Sequence, residues 1–232
     1  MFYLTYLKIL HHSSSLFNPN SEAIEKMTSL RGGVKMGLMK NLIIIFIFSF
    51  IFSNKSFAND IKLFYIEEMR IGESALLYFS KEEIENGRQP QQYPGSDRYI
   101  ISNISQHKNF KKFAQIQINY LKNDDNYKMG GIIGSAPYDD IKECLKDKDI
   151  TENNMDKALK DPVKESAKQD KHYDPTGNSK TYITQYFLEN GFAQITCDDW
   201  SEKLTKEQNL QDVLSVNLIG EDFGNFLKTE AY

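Results

Sequence analysis

The 232-residue chain is poor in the residues that most metal and catalytic sites are built from, with two cysteines and four histidines. Past residue 58 only His107 and His172 accompany Cys144 and Cys197, and no metal-ligand spacing links them. No Gly-x-Ser-x-Gly elbow occurs, so Ser-His-Asp and Cys-His sets lack support. No apolar run reaches the ~20 residues of a membrane helix. A cationic surplus is also missing. The formal net charge is −4, and beyond residue 58 it is −8, with 22 basic against 30 acidic side chains. An acidic domain of this kind is a poor partner for phosphate backbones, so no nucleic-acid binding is expected.

Two motifs come close and fail. Residues 174–181 suggest a phosphate loop, but Ser179 stands where Gly must precede the lysine, and His172 where an earlier Gly is needed. Asp147, Asp149 and Thr151 begin like a calcium loop. Position six is then Glu152 instead of Gly, and position twelve is Ala158 instead of Glu. No cofactor is expected.

What is present is an export pattern. Residues 39–58 run from Lys40 through an apolar stretch of about eleven residues, Leu42 to Phe52, to Ser56 and Ala58. This reads as a signal peptide cleaved after Ala58, leaving no stable membrane span; the alternative is a short buried helix. Residues 1–38 are too long for an ordinary n-region. They read as a start codon assigned too early, with Arg31 to Gly33 encoded by a purine-rich stretch, or as a long leader.

Residues 59–232 are enough for one domain with a real core. Alternation of apolar and polar residues, with turn residues between, predicts strands near 61–66, 99–104, 113–120, 127–133, 182–188, 192–197 and 213–219. Asn123 to Asn126 and Glu189 to Gly191 mark hairpins. Glu73 or Ser74 reads as one helix cap and Ser80 as another, the latter in a Ser-x-x-Glu box with Glu83. A helix is predicted to open after Pro137 and another over 221–227. The charged stretch 146–180 reads as a loose helix followed by a long mobile loop. The sum is an α+β fold, a mainly antiparallel sheet of six or seven strands with about three helices on one face.

In an oxidising compartment the isolated cysteines read as one disulfide between Cys144 and Cys197; two free buried thiols are the alternative. The densest group of polar candidates follows at once: Asp198, Asp199, Trp200 and Glu202. Carboxylates at a strand end suit acid/base work if their environments differ. The plainer reading has Asp198 and Asp199 beginning a turn, Trp200 filling the core edge and Ser201 capping a short helix.

The stretches 71–84, 113–120 and 194–203, together with the helix bearing Cys144, resemble a family of small secreted proteins from marine alphaproteobacteria of the SAR11 type. No activity is established for that family, so the resemblance implies export and brings no site residue with it. The expected function is an exported, periplasmic or secreted, non-enzymatic protein that binds a partner protein or envelope component. A small-ligand binder using the concave face of the sheet is one alternative. Another is a small hydrolase working through Asp198, Asp199 or Glu202 with His172.

Overall fold

The structure, a computed structural model, describes residues 59–90, 92–171 and 174–232. The signal peptide expected at 39–58 and the early start or leader expected at 1–38 lie outside these residues. Asp60 caps a 3-10 turn at Ile61–Leu63 through the Lys62 N–H, and Ser74 caps a second at Ala75–Leu77. The predicted strand at 61–66 therefore does not form. Its backbone is drawn into the capped turn, which buries Ile61, and the Ile61 N–H donates to the Glu189 carbonyl. Ser80 and Glu83 complete the capping box of α1 (Lys81–Asn86).

The sheet begins with β1 (Tyr99–Ser105), β2 (Gln115–Leu121) and β3 (Met129–Tyr138). The long helix α2 (Ile141–Ala158) follows, capped by Asp140. Then come β4 (Val163–Asp170), β5 (Lys180–Leu188) and β6 (Gly191–Asp199). Helix α3 (Glu202–Gln208), strand β7 (Asp212–Gly220) and helix α4 (Glu221–Thr229) close the chain. The strand order is β1-β2-β3-β7-β6-β5-β4, and every pairing is antiparallel. Two meanders are thus joined where β7 returns beside β3, with α2 bridging them. The fold is α+β.

Strand β4 falls where the sequence suggests a mobile loop. Its first six residues are all exposed, so it carries no burial pattern to read. Pairing with β5, and not local propensity, makes it a strand. Helix α2 also runs on through Ala158, well into the charged stretch.

Register assigns the two faces. Directly opposed residues share a face, so Ile118, Ile132, Leu218 and Ala193 line one side, with Ile116, Ile195, Leu214 and Cys197 on the same side. All eight belong to the main core cluster. Fully burying an Ile or Leu side chain is worth roughly 1.5–3 kcal/mol, so the Ile and Leu residues of this row contribute substantially to stability. Helix α2 covers it and is fastened there by the Cys144–Cys197 disulfide, with Cα atoms 6.1 Å apart. The opposite side carries an amide-rich row, Asn103, Gln117, Ile133, Asn217, Gln194 and Gln185. Helix α4 packs against the end of that second side, so the helices do not all lie on one face as expected: α2 covers one side of the sheet and α4 the other. A Cβ at Gly131 would lie 2.5 Å from the Phe223 ring, so only glycine admits the approach.

Candidate functional site

The end of β6 and the segment entering β5 come together around Trp200. Because consecutive strand residues project to opposite faces, Asp198 and Asp199 separate at once. Asp198 lies opposite Thr181 and Val213, while Asp199 lies opposite Lys180. Asp198 is buried, accepts a hydrogen bond from Thr181 Oγ1 at 2.7 Å and pairs with Lys171 Nζ at 2.7 Å. Lys171, itself only 4% exposed, places its ammonium 4.2 Å from the centre of the Trp200 ring. Burial pushes the Lys171 ammonium below its ordinary range, and the Asp198 charge opposes that shift. The trio is an ion pair laid on an indole face, an arrangement in which a desolvated cation gains from the ring quadrupole.

On the other face, burial and then the neighbouring Asp212 raise the Asp199 carboxyl above its ordinary range, against Lys168 and Lys180. Asp212 is raised as well, chiefly by burial, although its Oδ1 accepts from the Trp200 N–H at 2.9 Å. Glu202 sits in the first turn of α3, facing solvent and paired with Lys206 at 3.2 Å. Ser201 caps that helix, and its own N–H donates to Ser179 Oγ at 2.8 Å. Ser179 in turn donates to Asp174, whose carboxylate also accepts from Thr176. Burial works against the Asp174 charge, yet these bonds hold its carboxyl well below the ordinary range.

Trp200 is buried and Ser201 caps α3, as the plainer sequence reading has them, but Asp198 and Asp199 do not begin a turn: pairing with β5 holds both in β6. The four candidates do not converge. Asp198 is neutralised by Lys171, Asp199 faces the other side, and Glu202 lies on the surface; His172 lies outside the described residues. Lys171 and Thr181 went unnoticed in the sequence. Lys171 follows a strand that has no apolar signature, and only the fold carries it back over Trp200. Among the described residues, no group of three or more histidine, cysteine or acidic side chains could hold a metal ion. No described helix is long and apolar enough to cross a membrane.

The chain matches no protein-family model, no curated protein and no solved structure.

Proposed function

We propose that this is an exported binding protein without catalytic activity, working in an oxidising compartment and recognising a partner protein or envelope component. The observation that carries the reading is the disulfide between the fully buried Cys144 and Cys197, which fastens α2 to the sheet. Such bonds persist where the surroundings are oxidising, as in the periplasm or outside the cell. The export pattern at 39–58 and the secreted family that the chain resembles support the same compartment. Crosslinking of the epitope-tagged chain in intact cells tests the reading. Capture of one defined envelope or periplasmic protein is expected; a chain found only in the cytoplasm, or no capture above an untagged control, would overturn it.

A second reading, a small-ligand binder, is favoured by the amide-rich row on the sheet side away from α2. Its amides offer both donors and acceptors on β1, β2, β7, β6 and β5, interrupted by Ile133 on β3, with Asn217 Nδ2 bonded to the Gln194 carbonyl and Gln194 Nε2 to Gln185. A ligand that binds only the native state would raise the melting temperature.

A further inference from the structure

The two edges of the sheet are treated differently. The outer edge of β1 is closed by the segment after α1: the Asn103 N–H donates to the Gly87 carbonyl at 2.8 Å and the Gln89 N–H to the Ile101 carbonyl at 2.9 Å. The last strand at the other edge is β4, and Val163 to Lys168 are all exposed. The Lys171 N–H donates to the Ser179 carbonyl, in continuous register with the β4–β5 ladder. Odd-numbered residues of β4 therefore turn their backbone groups toward β5. Lys164, Ser166, Lys168 and Asp170 turn theirs outward, in the alternation of antiparallel pairing.

We propose that this edge pairs with the same edge of a second copy, giving an isologous dimer with one continuous antiparallel sheet. A two-fold axis that joins antiparallel edges stands normal to the sheet and keeps each face on its own side. Opposed residues must then have the same parity. Centring the axis on Ala167 sets Ala167 against itself, Ser166 against Lys168, Glu165 against Gln169 and Lys164 against Asp170. The outward-facing residues all fall in hydrogen-bonded pairs. Both ends of the contact bring a lysine against an aspartate, whereas centring on Ser166 would oppose Lys164 to Lys168. Lysines on an edge ordinarily repel indiscriminate strand addition. Here the reciprocal Lys164–Asp170 match makes self-pairing in one register the exception. Within one copy Lys164 already meets Asp156 at 2.6 Å and Asp170 meets Lys180 at 2.7 Å, so the new contacts extend two existing ion pairs.

The test is sedimentation of the full chain over a dilution series, with single cysteines introduced on β4. Ala167 sits on the axis, so A167C places two sulfurs face to face, whereas S166C holds its two copies apart. The expected result is a concentration-dependent dimer and an A167C crosslink that forms much faster than that of S166C, with the native Cys144–Cys197 bond intact by mass. Lys164→Asp should weaken association about tenfold or more, as two opposed pairs become like-charged, and adding Asp170→Lys should restore it. That rescue cannot come from folding, since the double swap does not rebuild the internal pairs with Asp156 and Lys180. A chain that stays monomeric at its highest soluble concentration would overturn the proposal, as would equal crosslinking of A167C and S166C.

Discussion

Glu67 shows how much one carboxylate can organise. It stands in the turn between Ile66 and Met69, where Glu67 and Glu68 both adopt positive φ, at 49° and 75°. Its Oε1 accepts the backbone N–H groups of Lys111 at 2.9 Å, Lys112 at 2.6 Å and Phe113 at 3.0 Å. This ties the N-terminal turns to the approach into β2. Burial works against the charge, but the three N–H bonds and the Lys111 ammonium hold the carboxyl below its ordinary value. Glu67→Gln keeps an acceptor and loses the charge, and should cost about 1–2 kcal/mol in urea denaturation at neutral pH. A carboxyl depressed in the folded state contributes stability above its unfolded value, and that contribution disappears as pH falls through the folded value. The gap between Glu67→Gln and the native chain should therefore close on acidification below about pH 4.

The Lys171–Asp198 pair gives a second expectation at this scale. Asp198→Asn leaves a buried ammonium without its counter-charge and should destabilise the protein by about 3–5 kcal/mol. Replacing both with apolar residues, as in Lys171→Met with Asp198→Leu, should cost much less. A double-mutant cycle measured by denaturation distinguishes this coupling from two independent packing losses.

At the scale of elements, the legible parts were those whose buried face leaves a period in the sequence. Ile116 and Ile118 alternate with Gln115 and Gln117, and β2 forms there. Ile141, Cys144 and Leu145 mark the buried stripe of α2 and aim Cys144 at the sheet. Asn190, at φ 61°, and Gly191, whose added Cβ would meet the Ile219 carbonyl oxygen at 2.2 Å, punctuate the β5–β6 hairpin. Strand β4 was illegible because an exposed edge imposes no apolar alternation. The apolar residues of 61–66 resembled a strand because burial of Ile61 and Ile66 is visible in sequence, while capping by Asp60 is decided by local geometry. The candidate site was legible only in its linear half. Asp198 and Trp200 were picked out, but Lys171 and Thr181 reach them through strand pairing. The disulfide belongs to this scale as well. It closes a loop with a sequence separation of 53 residues, so Cys144→Ser should lose about 2–4 kcal/mol under oxidising conditions. In reductant the two proteins should converge in thermal unfolding; an equal deficit in both would assign the effect to packing at Cys144.

For the whole molecule, the phenols set an alkaline limit. Burial and Asp156 raise Tyr186 far above the ordinary tyrosine range, and burial and Asp147 do the same for Tyr138. Burial pushes Tyr120 up to about 12, and burial with Glu73 pushes Tyr78 up to about 12. Groups raised on folding contribute stability that is complete below their unfolded value near pH 10 and is lost as pH rises through the folded values. An ultraviolet titration should show these tyrosines silent until the fold opens, then ionising together with the loss of circular dichroism. Smooth ionisation of all tyrosines near pH 10, with the fold intact, would contradict the raised values of these four phenols.

Export and a single disulfide together fix the intact mass of the native protein from an extracytoplasmic fraction, alkylated before and after reduction. The expected result is the mass of residues 59–232, with two alkyl groups added only after reduction. A mass that includes residues 1–58, with both thiols alkylated before any reductant is added, would contradict it.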